Sequence, residues 1–366
     1  MKIVNLIWGF TLGAGIDKCY MTYARLDSVD SSIVMKNVCI NILSRNSHLE
    51  PLKNLDVTFI NINTPFDFSW LGKLKKCIDD FGADILFTHG FNGAIMSMLE
   101  KYVKGMDTKI VLTYHGAYHA PTRAKKILEP VYNGLTYYVY RKVAKTTICV
   151  AEYSRQYLIS KGVPEYKVVT VHNGIKDIAE TTPNVIKMDK SVVNIMTASR
   201  IDKVKGLPYM LEAVEILKQR GLHFHYYMIG DGPELQNMKH LCKKKHLDDV
   251  ITFEGFQNNV PEWLEASDIF ALPSLYEYHS IAVLEAMRAG KAIIATSVGG
   301  NGESISNMRQ GILIPPYDAK KLAEGLELLI EDGTLRQTLA KGARIRYEEE
   351  FTEDVMKKNI VKVLKS

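Results

Sequence analysis

Short runs of apolar, largely β-branched residues recur along the chain, separated by longer stretches with the spacing of helices. In the first half the runs are IVNLIWGF (3–10), LDVTFINI (55–62), ADILFTHG (83–90), KIVLTYHG (109–116), TTICVAEY (146–153) and KVVTVHNG (167–174). The second half supplies VVNIMTASR (192–200), HFHYYMIGDG (223–232), VITFEGF (250–256), DIFALPS (268–274), KAIIATSVGG (291–300) and GILIPP (311–316). Their apolar positions are continuous rather than alternating, which predicts strands buried on both faces. Alternation with helices then predicts an α/β chain with two doubly wound parallel sheets. The polar stretch DIAETTPNVIKMDKS (177–191), with Pro183 and no clear period, reads as an inter-domain linker. Two helical stretches follow the last run, at 335–350 and 353–364.

Composition narrows this picture only modestly. A length of 366 residues suits two domains better than one core. The first run also has the outline of a short signal peptide, with Lys2 ahead of an apolar stretch and small residues after it. Asn5 inside the run, and the similar runs downstream, favour a buried first strand. No stretch approaches about 18 uninterrupted apolar residues, so no spanning helix is expected. Five scattered cysteines (Cys19, Cys39, Cys77, Cys149, Cys242) without a CxxC pattern suit reduced thiols in a cytoplasm. The net charge of +5 is mild but uneven. Residues 101–145 hold nine Lys or Arg against Asp107 and Glu129, with Tyr132, Tyr137, Tyr138 and Tyr140 among them. That mixture suits an anionic partner such as phosphate-bearing lipid or nucleic acid, and a solvated helix face is the plain alternative.

Open α/β sheets bind ligands beyond the carboxyl ends of their strands, so candidate residues are sought just after each run. Gly13 and Gly15 follow the first run, His115 and Gly116 the fourth, and Asn173 and Gly174 the sixth. In the second half, Arg200, the Gly230-Asp231-Gly232 turn, Glu277 and Gly299-Gly300 take the same place. Arg200 and Lys205, on a strand-to-helix turn, can clamp a diphosphate, the one as a fork and the other as a point charge. A surface pair is the equal alternative at that spacing. His115 and His119 sit in a loop with Gly116 and Pro121 and no following carboxylate, so a metal site is not expected there. His223 and His225 read as ordinary strand residues. In SLYEYHSIAVLEAMRAG (274–290), Ser280 is a suitable cap for a helix over about 280–289. The amides of Ser280, Ile281 and Ala282 would then form a phosphate seat. Glu277 precedes that helix and Glu285 lies inside it, so one elongated ligand can reach both carboxylates.

In order and spacing the second half resembles the family 4 retaining glycosyltransferases of the GT-B fold. The resemblance covers about 192–331 most strongly: S-R-x4-K-G (199–206), I-G-D-G-P (229–233), G-F (255–256), S-D-I-F-x-L-P-S (267–274), E-x7-E (277–285), L-E-A-M-x-A-G (284–290) and V-G-G-x-x-E (298–303). The first half matches through its glycine turn, T-Y-H-G (113–116) and H-N-G-I (172–175). The resemblance implies two Rossmann-like domains facing a cleft: an acceptor domain over 1–178 and a nucleotide-sugar donor domain over 190–350. A C-terminal helix (351–366) would pack back on the first. It implies that Arg200 and Lys205 hold the diphosphate, Glu277 contacts the donor sugar, and Glu285 binds the ribose hydroxyls. His115 would hydrogen-bond the sugar, and Gly15 would approach the phosphates or the acceptor. Gly230, Phe256, His279, Ser280, Ile281 and Ala282 complete the implied donor site. Members often carry Gly-Phe-Gly or Gly-Phe-Pro where this chain has Tyr278-His279-Ser280, and His279 either touches the donor or fills space.

The implied reaction is retaining transfer of a sugar from a nucleoside diphosphate to a glycan or to a polyprenyl- or lipid-linked acceptor. No cofactor is expected, and no metal, since Arg200 and Lys205 supply the positive charge and no Asp-x-Asp stands in a suitable loop. No nucleic acid partner is expected. The location would be cytoplasmic, peripheral at the inner face of the cell membrane if residues 101–145 contact it. An epimerase acting on nucleotide sugars, or a non-catalytic subunit that binds them, are the alternatives on the same fold. A nicotinamide oxidoreductase fits poorly, because no G-x-G-x-x-G follows the first run.

Overall fold

The computed structural model describes residues 1–9, 15–43, 52, 55–64, 66–117, 127–178 and 186–366, with the side chains of 15–18 excluded. The chain divides into two compact units, one of residues 1–175 with 353–366 and the other of residues 176–352.

Unit 1 is built on a seven-stranded parallel sheet of β1 (Lys2–Trp8), β2 (Val34–Ile42), β3 (Val57–Ile62), β4 (Ile85–His89), β5 (Lys109–Tyr114), β6 (Thr146–Cys149) and β7 (Val168–Thr170), in the order 3-2-1-4-5-6-7. The first apolar run is thus an interior strand, paired in parallel with β2 and β4. Unit 2 repeats the plan with six strands: β8 (Val193–Ala198), β9 (Phe224–Ile229), β10 (Ile251–Gly255), β11 (Ile269–Leu272), β12 (Ala292–Thr296) and β13 (Ile312–Ile314), in the order 10-9-8-11-12-13. Each apolar run yields a strand, mostly trimmed at the carboxyl end where the chain turns toward the next helix.

One strand escaped the hydrophobic pattern. β2 carries Lys36, Asn37 and Asn41, which break the apolar run, yet Asn37 and Asn41 are buried. They are tolerated because neighbouring strands supply their partners: Asn5 bonds Asn37 at 2.9 Å and Asn41 bonds Asn61 at 3.0 Å. The core of unit 2 packs β8, β9, β11 and β12 against helices through Ile195, Leu211, Val214, Tyr226, Ile294 and Leu326. Helix Glu353–Lys365 belongs to unit 1, where Lys357 bonds the Ser28 hydroxyl and Lys365 pairs with Asp30. Of the linker stretch, 179–185 lies outside the described residues. Among the described residues no helix is long and apolar enough to cross a membrane.

Candidate functional site

In each sheet the order reverses beside the first strand of the unit, between β1 and β4 and between β8 and β11. Loops leaving two adjacent strands in opposite directions open a crevice at such a point, and ligands of doubly wound sheets lie there. In unit 2 those loops are 199–206 after β8 and 273–280 after β11. They are tied together by the Leu275 amide, which donates to the Val204 carbonyl at 2.7 Å.

That tie brings two sequence-predicted residues into contact. Lys205 Nζ lies 2.7 Å from Glu277 Oε1, and Ser274 Oγ donates to the same oxygen at 2.8 Å. Both charged side chains are largely sheltered, at 19% and 12% exposure. Ser274 is fully buried; it closes the S-D-I-F-x-L-P-S motif, which assigned it no role of its own. Arg200 is different: its side chain is 73% exposed and pairs with the carboxylate of Asp202. Asp202 also caps the turn Lys203–Lys205, accepting from the Val204 amide at 3.1 Å, so one carboxylate fixes the turn and tethers the arginine.

Close approach requires glycine at several points around these loops, Gly299 and Gly230 among them. Gly299, at φ +52°, brings the turn after β12 so near the Glu277 carbonyl that a Cβ would sit 1.6 Å from that oxygen. With the Gly300 amide donating to the Tyr278 carbonyl at 2.9 Å, this packing holds the backbone that carries Glu277. At Gly230 (φ +135°) a Cβ would meet the Ser199 carbonyl at 1.9 Å, so this glycine lets the end of β9 lie against the loop that carries Arg200.

Helix Ile281–Arg288 begins where the sequence predicts, capped by Ser280, whose hydroxyl accepts from the Val283 amide. Glu285 is buried within it. A buried carboxylate on an apolar helix is costly without polar company, which makes it the least expected residue of the segment on packing grounds alone. His279 is 6% exposed; its Nε2 is 3.1 Å from Ser304 Oγ, and its ring packs 5.7 Å from that of Phe351. Phe256 is 55% exposed just beyond β10. Between them, Ser280, Ile281 and Ala282 form the cap and first turn of the helix.

In unit 1, His115 follows β5 and is partly buried, with Nε2 3.0 Å from Thr113 Oγ1 and 3.4 Å from the Tyr23 hydroxyl. Loss of hydration pushes its pKa down to about 4, so the ring is neutral near pH 7. Beyond Thr113 lies His89 on β4, fully enclosed against the Tyr23 ring at 4.5 Å. No run taken singly signals this arrangement, because its residues come from separate strands and a helix. Gly15 opens helix Gly15–Tyr23, whereas Gly13, Ala14 and His119 lie outside the described residues. His225 bonds Thr252 across the sheet at 2.8 Å, in keeping with an ordinary strand residue.

Comparison with known proteins defines the class. The family model described as glycosyl transferases group 1 matches residues 179–346, and that described as Glycosyltransferase Family 4 matches residues 49–177. The chain belongs to the family 4 type of glycosyltransferases. It is 28% identical over 299 residues to the amylovoran biosynthesis glycosyltransferase AmsK of Erwinia amylovora, covering 78% of this chain and 70% of AmsK. With the UDP-Gal:alpha-D-GlcNAc-diphosphoundecaprenol alpha-1,3-galactosyltransferase of Escherichia coli it shares 26% over 288 residues, 75% of this chain and 73% of that enzyme. Among solved structures, Anabaena Alr3699/HepE in complex with UDP-glucose superposes at a TM-score of 0.81 with 18% identity, over 100% of this chain and 99% of the other. That likeness and the two sheets define the GT-B fold class, with two Rossmann-like units.

Proposed function

We propose that this glycosyltransferase transfers a sugar, with retention, from a nucleoside diphosphate donor to a glycan or lipid-linked acceptor in the synthesis of a surface polysaccharide or glycolipid. The observation that carries the reading is the Lys205–Glu277 pair, sheltered at the carboxyl ends of β8 and β11 where the sheet order reverses. The named substrates of the galactosyltransferase relative, and the UDP-glucose of the structural neighbour, support a nucleotide-sugar donor and a lipid-linked acceptor.

In this reading the acceptor hydroxyl attacks the anomeric carbon on the face that the phosphate leaves. A new carbon–oxygen bond forms, the bond to the phosphate oxygen breaks, and the acceptor proton passes to the departing phosphate. Negative charge grows on the bridging oxygen, where preorganised donors are worth most. Lys205 has three N–H donors, so it can keep Glu277 and still hold a phosphate oxygen. Arg200 is exposed enough to swing from Asp202 to the diphosphate. Those two cations, with the amides of Ser280, Ile281 and Ala282, take the work that a divalent metal does elsewhere, so no metal is required. Glu277 orients the donor sugar, Glu285 binds the ribose hydroxyls, His115 bonds a sugar hydroxyl, and Gly15, Gly230 and Phe256 line the donor. His279, held by Ser304 and Phe351, supports the loop and needs no donor contact.

In the same reading the membrane contact is made within residues 101–145, of which 118–126 lie outside the described residues and β5 is largely buried. Val103, Ile127 and Val131 are exposed at 60%, 80% and 65%, and Lys101 and Lys104 share the helix of Val103. Apolar anchors with a basic rim suit an anionic bilayer, and salt-sensitive binding to anionic vesicles is the check.

The test of the whole is a panel of nucleotide sugars offered with lipid-linked acceptors, following nucleoside diphosphate release and the anomer formed. Acceptor-dependent release with retention is expected. No release from any donor overturns the reading, an isomerised sugar without acceptor identifies an epimerase, and binding without turnover identifies a binding subunit.

A further inference from the structure

Unit 1 contains a file of buried polar side chains that the roles above leave unused. It crosses four adjacent strands in their spatial order, β2, β1, β4 and β5. Asn37 Nδ2 donates to the Ala24 carbonyl at 3.2 Å, and Asn5 Nδ2 donates to Asn37 Oδ1 at 2.9 Å. His89 Nε2 lies 2.6 Å from Asn5 Oδ1, and His89 Nδ1 lies 3.0 Å from Thr113 Oγ1. Thr113 Oγ1 is in turn 3.0 Å from His115 Nε2. Asn5 and Thr113 are wholly buried, and His89 and Asn37 are 4% and 6% exposed.

The direction of every proton in this file follows from its far end. A backbone carbonyl only accepts, so Asn37 must turn its NH2 toward Ala24 and offer its oxygen to Asn5. Asn5 therefore gives its NH2 to Asn37 and its oxygen to His89, which must carry a proton on Nε2. A doubly protonated His89 would break the sequence there, but burial and the neighbouring His115 hold its pKa well below the usual value. Neutral His89 has a bare Nδ1, and Thr113 must donate its one hydroxyl proton to it. The Thr113 oxygen is then left only to accept, and His115 must supply the proton from Nε2. The Tyr23 hydroxyl oxygen, at 3.4 Å, is a second and longer acceptor for the same N–H.

We infer that the Asn37–Asn5–His89–Thr113 relay fixes His115 as its Nε2–H tautomer and presents Nδ1 as an acceptor to a hydroxyl or N–H of the donor sugar. The inference rests on the reading that His115 meets that sugar. Among the described residues Nδ1 takes no hydrogen bond of its own. A bare ring nitrogen attracts a group that brings a proton and repels a carboxylate, so the relay selects against a negatively charged sugar substituent at that point. Asn37, Asn5, His89 and Thr113 are positioning residues: each acts through the next, and of this file only its end, His115, touches sugar.

The experiment is nitrogen NMR of the full chain with ring-labelled histidine, the His115 signals being assigned by their loss in His115→Gln. A protonated Nε2 and a bare Nδ1 are expected near pH 7. Thr113→Val should release the tautomer into a mixture and lower kcat/KM for transfer roughly tenfold, the equivalent of about 1.4 kcal/mol. Thr113→Ser keeps the hydroxyl and should restore both. A proton on Nδ1 in the wild type overturns the inference, as does a Thr113→Val spectrum with unchanged His115 signals. Thr113→Ser as impaired as Thr113→Val would also overturn it, since packing would then be the whole effect. If Thr113→Val does not fold, the wild-type spectrum decides alone. Unaltered transfer by His115→Ala, with the Nε2–H signal in place, removes the sugar contact and overturns the inference at that reading rather than at the relay.

Discussion

Removing Lys205 should damage stability and turnover by separable amounts, and the geometry sets both. Its Nζ is 2.7 Å from Glu277 Oε1, with the two side chains 19% and 12% exposed. At an effective dielectric of about 20 the attraction is about 6 kcal/mol before desolvation is counted. Taking two charges most of the way out of water offsets much of that, which leaves a coupling of about 2 kcal/mol. This lies between the value of about 1 kcal/mol for exposed pairs and the loss of about 3–5 kcal/mol when a fully buried pair is broken. Lys205→Ala strands Glu277 with only the Ser274 hydroxyl, and Glu277→Ala strands Lys205. The double variant strands neither, so it should be more stable than the two single losses added together. Urea unfolding of the four proteins yields the coupling directly. Turnover behaves otherwise: Lys205→Ala removes a preorganised cation from the leaving group and should cost on the order of 100- to 1000-fold in kcat. The double variant should recover none of that. A coupling below about 0.5 kcal/mol, or a kcat for Lys205→Ala within about threefold of wild type, would rule out these two roles of Lys205.

Three further outcomes follow from other parts of the molecule. Gly299→Ala forces a Cβ onto the Glu277 carbonyl at a positive φ and should cost at least about 2 kcal/mol in urea unfolding together with donor affinity, while Gly302→Ala, which meets open space, should cost far less. Glu100 is buried with neither carboxylate oxygen hydrogen-bonded, and burial pushes its pKa up from 4.5 to about 8. Its folded pKa lies above its unfolded one, so stability is lost as pH rises from about 4.5 toward 8; Glu100→Gln should therefore match wild type near pH 4.5 and exceed it by roughly 2–4 kcal/mol near pH 8. His115 has the opposite sign: its folded pKa of about 4 lies below the ordinary 6.5, so its contribution is complete above about 6.5 and fades as pH falls toward 4. Unfolding free energies between pH 7.5 and pH 5 should decline less steeply in His115→Ala, by roughly 2 kcal/mol over that interval.

The sheets were legible because parallel strands covered on both faces must be continuously apolar, and twelve runs announced themselves that way. β2 was hidden because its asparagines satisfy one another across strands, a pairing that no single run reveals. The candidate residues stood out as strand-end positions and as members of ordered motifs, whereas their contacts were not legible. Lys205 and Glu277 stand 72 positions apart and were expected on the diphosphate and on the sugar respectively; they meet because β8 and β11 are neighbours. For His279 the sequence left a donor contact and a space-filling role side by side, and its contacts with Ser304 and Phe351 depend on a turn and a helix end distant in sequence. The relay behind His115 needs the order 2-1-4-5, so Asn5, Asn37, His89 and Thr113 each look ordinary until the strands are laid side by side.

In the proposed function unit 2 binds the nucleotide through Glu285 and works on the sugar through Glu277. Calorimetric titration of UDP, GDP, ADP and dTDP into wild type, Glu285→Ala and Glu277→Ala, with transfer rates on the same preparations, tests it most directly. One nucleotide should bind the wild type, Glu285→Ala should weaken it by about ten- to a hundredfold, as expected for lost charged hydrogen bonds, and Glu277→Ala should bind nearly normally while transferring slowly. Nucleotide affinity lost with Glu277 and kept without Glu285 would mean that the two carboxylates hold the reverse roles.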